Sequence, residues 1–139
     1  MKIEFEGLEQ FTKKVEQLVD ANKIEKSMQT ACAIVEVSAK KNAPKDTGAL
    51  RRSIQSKVER EGKEVQGTVF TPLEYAPYVE YGTGLFAEGG GRKDEWSYQD
   101  DKGDWYTTRG QKPQPFMRPA LNENREKIVQ IIKEGMLNG

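Results

Sequence analysis

The sequence predicts an α+β fold, with helices and antiparallel strands in separate stretches of chain. Three observations carry this. Apolar residues recur at spacings of three and four over residues 8–41, and do so again near the C-terminus. Between these stretches, residues 54–71 change to a period of two. No strand–helix alternation and no internal repeat is visible. The expected arrangement is two N-terminal helices and a C-terminal helix packed on a small antiparallel sheet, with a long hairpin insertion. At 139 residues the chain reads as one domain, 1–139, with the insertion at about 85–112.

The first helix is expected from Leu8, Phe11, Val15, Leu18 and Val19, with a weak break at Asp20-Ala21-Asn22. The second carries Ile24, Met28, Ala31, Val35 and Ala39 on one face, with Cys32 beside them, and runs to about Lys41. Asn42-Ala43-Pro44 ends it, because the residue before a proline is pushed out of the α region. Asp46 or Thr47 is then expected to cap a short helix that carries Leu50 and Ile54 inward and Arg51 and Arg52 outward. Ile54, Ser56 and Val58 alternate with polar residues, as do Val65, Gly67 and Val69, and Glu61-Gly62-Lys63 joins the two runs into a hairpin.

LEYAPYVEYGTG, residues 73–84, reads as a short helical turn ended by Gly82, with Tyr75, Tyr78 and Tyr81 three apart. For these tyrosines, and for Phe116 and Met117, core packing and interface use are both open. Glu88-Gly89-Gly90-Gly91 leads into a second hairpin, whose Asp100-Asp101-Lys102-Gly103 suits a type I turn with a glycine bulge. In that register Tyr98 faces Tyr106 while Trp105 points to the other side. Both tryptophans, Trp96 and Trp105, fall here with little around them to bury, which points to a protein partner. Pro119 marks the start of the last helix, with Leu121, Ile128, Ile131 and Ile132 along one stripe.

Composition narrows the function. Twenty-two basic residues balance twenty-two acidic ones, so no global field recruits nucleic acid or an anionic membrane. No apolar run approaches the length of a membrane span, and MKIEFEGLEQ lacks a signal-peptide core. Apolar residues make up only 35%, so the core is thin, and either some of the chain is long solvated loop or part of its order comes from partner subunits. One cysteine excludes an internal disulfide framework and suggests synthesis in a reducing compartment. The absence of histidine removes His-based triads and His-ligated zinc.

Five features invite chemistry, and each meets a simpler reading. Asp46-Thr47-Gly48-Ala49 spells the turn of small dimeric aspartic proteases, but Lys40–Lys45 cannot form the buried strand that turn requires. GTGLFA, residues 82–87, matches a dinucleotide fingerprint, yet glycines follow where a helix must open. Asp100, Asp101 and Asp104 lack calcium-loop spacing. Cys32 sits in a helix with no histidine to activate it. Arg51, Arg52 and Arg118 suit pairing with acids of a neighbouring subunit better than phosphate, given zero net charge.

APKDTGALRRSI, YAPYVEYGTG and PQPFMRPALNENREKI, in this order behind two helices, resemble the gene-product-ten-like family of tailed bacteriophages and prophages, and the likeness extends over essentially the whole chain. The matching positions are Pro44, Asp46, Thr47, Gly48, Leu50, Arg51 and Ser53; Tyr75, Tyr78, Glu80, Gly82 and Thr83; and Phe116, Arg118, Pro119 and Ala120. The resemblance implies a tail component, a tail-completion or head–tail joining protein of the virion, made in the host bacterial cytoplasm. It implies a ring, expected to be a hexamer, at the neck between head and tail tube. The partners would be other copies and neighbouring neck, tail-tube or terminator proteins, with DNA passing through the lumen unread, and no membrane, cofactor, metal or catalytic residue. Arg51, Arg52, Trp96, Tyr98, Trp105 and Tyr106 are the candidate subunit contacts. The segment between Gly84 and Pro113 departs from the family pattern by its length. A dimeric protease using Asp46-Thr47-Gly48 and a DNA-contacting neck module are the alternatives.

Overall fold

The computed structural model describes residues 2–6, 21–45, 48–62 and 64–138. The helix expected over 8–19 lies outside them, as do Asp46 and Thr47. The chain divides into two compact units, one made of 1–72 and 116–139, the other of 73–115.

The first unit holds a three-stranded antiparallel sheet, β1 (Lys2–Glu6), β2 (Gln55–Glu61) and β3 (Glu64–Phe70), in the order β1-β3-β2. The β2–β3 hairpin is as expected, with Val58 opposite Gly67 and Ser56 opposite Val69. Gly62 supplies the positive φ of 62° that its two-residue turn needs. β1 was not expected. Its five residues are too few for a period of two to stand out, and pairing with β3 (Ile3 with Val69, Phe5 with Gly67) makes it a strand.

The long helix α1 (Ala21–Asn42) starts at the expected break and ends just before Pro44. Ile24, Met28, Ala31, Cys32, Val35 and Ala39 are all buried, so the predicted stripe is the core face. This face crosses β3 and β2. Gly67 sits where the helix comes closest: a Cβ there would run into Cys32 Sγ and lie 2.9 Å from Met28 Sδ. The sheet therefore accepts the helix because one strand position has no side chain.

The terminal helix α4 (Met117–Asn138) lies antiparallel to α1, with Gly135 against Ser27. Pro119 sits in its first turn, where the missing N–H costs nothing. Ile128 and Ile132 are buried as expected, joined by Met117, Ala120 and Met136, while Leu121 and Ile131 are half-buried.

Among the described residues there are four α-helices where three main ones were expected. Two of the four are the expected long ones, the third expected helix lies outside the described residues, and the other two are short: α2 (Ala49–Ser53) and α3 (Ala76–Tyr81). Both occupy stretches that the sequence marks only as a short helix and a helical turn, since one turn or so is below the length at which an apolar stripe is visible. The second unit holds α3, a 3₁₀ turn at Gly84–Phe86, and the hairpin β4 (Trp96–Gln99) and β5 (Trp105–Thr108).

Candidate functional site

The first signature segment is an internal clasp. Gly48 occupies the N-cap of α2 with φ 71°, a left-handed conformation that favours glycine, and accepts a hydrogen bond from Arg52 N–H. Leu50 is buried on the core side. Arg51 Nε donates to the carbonyl of Lys40 at 2.9 Å, capping one of the orphan acceptors at the end of α1. Ser53 Oγ donates to Leu50 O at 2.6 Å and lies 2.7 Å from Thr71 Oγ1, tying α2 to the end of β3. Arg51 thus has a partner within its own unit, and Arg52 stands exposed with its guanidinium folded over Gly48. The expected capping by Asp46 or Thr47 falls outside the described residues. Pro44 is half-buried just beyond α1.

The second segment anchors the 73–115 unit. Tyr75 is the N-cap of α3 and Gly82, with φ 81°, ends the helix. A Cβ on Gly82 would lie 2.9 Å from Gln111 O, Phe86 O and Pro113 Cδ. Thr83 N–H donates to Gln111 O, its Oγ1 accepts from Gln111 N–H, and Leu85 N–H donates to Arg109 O, at 2.8–2.9 Å. These bonds strap the two ends of the hairpin segment together. Glu80 is fully buried. In the third segment Phe116 and Ala120 are buried, and Arg118 and Pro119 half-buried, at the start of α4.

The β4–β5 hairpin has the predicted register and turn. Tyr98 pairs with Tyr106, their rings stacked at 5.6 Å. Gly103, at φ 87°, forms the bulge, and Asp100 Oδ1 accepts from the N–H groups of Lys102 and Asp104. Trp96 shares the tyrosine face. It is half-buried, packs against Gly84 and lies under the Arg92 guanidinium at 5.6 Å. With Tyr78 and Thr83 these residues line a shallow cleft. Trp105, on the opposite face, is 68% exposed.

Exposed large apolar side chains concentrate in this unit. Tyr75, Tyr78, Tyr81, Leu85, Phe86, Tyr98, Trp105 and Tyr106 all stand at least a third open to solvent, and outside 73–115 only Val37 does so among the described residues. The three tyrosines of the second segment are therefore surface residues, whereas Phe116 and Met117 are core. Leu85, Phe86 and Val37 were not singled out from the sequence. Val37 carried a signal, being an apolar residue out of phase with the buried stripe of α1.

Cys32, the lone cysteine of the chain, lies in the core. Burial pushes the Cys32 thiol up to about 11, with the charge of Glu36 adding to the rise and a backbone hydrogen bond from Thr68 opposing it. Such a thiol is not a nucleophile near neutral pH. Among the described residues no group of acidic, cysteine or histidine side chains is placed to hold a metal ion, and no helix is long and apolar enough to cross a membrane.

A family model described as "Bacteriophage HK97-gp10, putative tail-component" matches residues 6–82. The match contains the first signature segment and the second as far as Gly82, stopping short of Thr83, and the third lies beyond it. No curated protein and no solved structure matches the chain.

Proposed function

The chain belongs to the HK97-gp10-like family of bacteriophage tail components, and from that premise we propose that it is a ring-forming joining subunit at the neck, between head and tail tube, without enzymatic activity. The ring is read as a hexamer that meets connector proteins on one side and tail-tube or terminator proteins on the other. DNA passes through its lumen without sequence recognition.

The observation that carries this reading is the placement of the exposed aromatics. A 15.8 kDa chain with a lean core presents eight large apolar side chains on one 43-residue unit. Surfaces of that kind mark protein contact, and tyrosine and tryptophan are the residues most enriched there. The first signature segment supports the same reading from the other direction. Its described polar groups cap, clasp and turn the backbone, which is a structural use rather than a reactive one.

Deleting Gly89–Arg109 in the phage that encodes the protein tests it. The expected result is filled heads and finished tails that accumulate apart, with the variant protein still folded. Normal yields of joined virions, either from that variant or from a deletion of the whole gene, would overturn the proposal.

A further inference from the structure

The outward face of α1 carries apolar side chains that its own unit does not use. Helical phase puts Lys26, Thr30, Ala33, Val37 and Lys41 opposite the buried Met28, Cys32 and Val35, and all five are exposed. Val37 is 64% exposed, the only large apolar side chain of its unit in that state among the described residues. The acids of the helix lie elsewhere and are engaged, Glu25 with Arg60 and Glu36 with Lys40. The result is an apolar strip with a lysine at each end. Lys41 has no hydrogen-bond or ion-pair partner for its ammonium among the described residues. The last turn of the helix carries Lys40 and Lys41, which makes this the more basic end of the helix itself.

The tip of the β4–β5 hairpin has the complementary character. Trp105 stands on the strand face that otherwise carries only Ser97, Gln99 and Thr107. The turn beside it holds three aspartates against one lysine. Asp100 is committed to the turn through its Oδ1, whereas Asp101 and Asp104 are exposed and their carboxylates engage nothing among the described residues. One surface is an apolar strip ending in cations; the other is a lone indole beside free carboxylates.

We infer that the hairpin tip of one copy docks on the outward face of α1 in a second copy, with Trp105 against Ala33 and Val37 and with Asp101 and Asp104 facing Lys41. The inference rests on the reading of the protein as a ring subunit and names the contact that builds the ring. Because the two surfaces differ, the contact is head-to-tail, the kind that a rotation closes into a ring. The indole supplies the buried anchor, and the charges set the register and exclude a tip-to-tip encounter.

Charge reversal tests the pairing. Asp101→Lys with Asp104→Lys is expected to lower the yield of joined virions about tenfold or more, and so is Lys41→Glu. Combining all three substitutions is expected to recover most of the loss, because the signs match again. All three positions are exposed, so each variant should melt with the wild type. Single-cysteine chains provide the direct readout. In a Cys32→Ser background, a Val37→Cys protein mixed with a Trp105→Cys protein should give a disulfide-linked heterodimer in assembled particles.

Normal yields from either charge variant, failure of the combined variant to recover, or no heterodimer would each overturn the inference. A bridge that forms only within a chain carrying both cysteines would overturn it too, as an internal contact. A loss confined to Lys41→Glu would mean that another component covers α1, and would likewise sink it. If the gene deletion abolishes joining while these charge variants join normally, only this contact is wrong. If the gene deletion joins normally, the joining role itself falls.

Discussion

At the scale of single residues, the polar members of the first signature are explained by backbone needs rather than by reactivity. Gly48 turns the chain in a conformation most residues avoid, Arg51 caps α1, and Ser53 binds α2 to β3. Gly67 works by what it lacks. A methyl group there meets Cys32 Sγ and Met28, both held in the core, so Gly67→Ala is expected to cost about 1–3 kcal/mol, the usual penalty for overpacking. Its melting temperature should fall by several degrees, and Cys32→Ala in the same chain should recover part of the loss. An unchanged melting temperature in the single variant would show that the helix does not sit this close. Cys32 gives a second check at this scale. The folded chain holds its thiol proton to about 11 against an ordinary 9.0, so the stability from this group is complete below pH 9.0 and is lost as pH rises through about 11. Alkylation of the native protein at pH 8 should accordingly be far slower than that of the unfolded chain, and equal rates would contradict the burial.

At the scale of elements, the two hairpins behave differently because of what covers them. β2–β3 has its inner face under α1, with Val65, Gly67 and Val69 buried. The β4–β5 hairpin is two-stranded and mostly exposed, a form only marginally stable by itself. It depends on its turn, on the Tyr98–Tyr106 stack, and on the bonds from Thr83 and Leu85 to Gln111 and Arg109. Tyr106→Ala should therefore loosen the hairpin by about 0.5–1 kcal/mol, visible as faster amide exchange in 96–108. Trp105→Ala should leave that exchange unchanged, because its ring is 68% exposed, and should instead reduce assembly. Equal effects of the two on exchange would remove the distinction between the hairpin's faces.

At the scale of the molecule, the core belongs to the first unit: α1 and α4 pack together, and α1 lies on β3 and β2. The buried apolar residues lie there almost entirely, with only Ala76 in the 73–115 unit. A chain lacking Gly89–Arg109 loses none of them. It should still unfold cooperatively within a few degrees of the full protein, even as joining fails, and a collapse of its thermal transition would show that the unit carries stability as well as contact.

The local elements were legible in the sequence because each depends on near neighbours. The stripe of α1, the stop before Pro44, the alternation of β2 and β3, the Gly82 stop and the Tyr98–Tyr106 register all follow from spacing and turn chemistry over a few residues. The family, too, was legible in the order of its segments. What the tertiary structure alone decided is which residues face water. Tyr78 and Phe116 are both aromatic residues in signature segments, yet one is 60% exposed and the other is fully buried. No local pattern separates them, because burial is set by which distant elements pack against each position. β1 became a strand for the same reason, through its pairing with β3, from Lys2 with Phe70 to Glu6 with Gln66. Arg51, expected outward, found its acceptor at the end of α1, where the fold brings an uncapped carbonyl within reach.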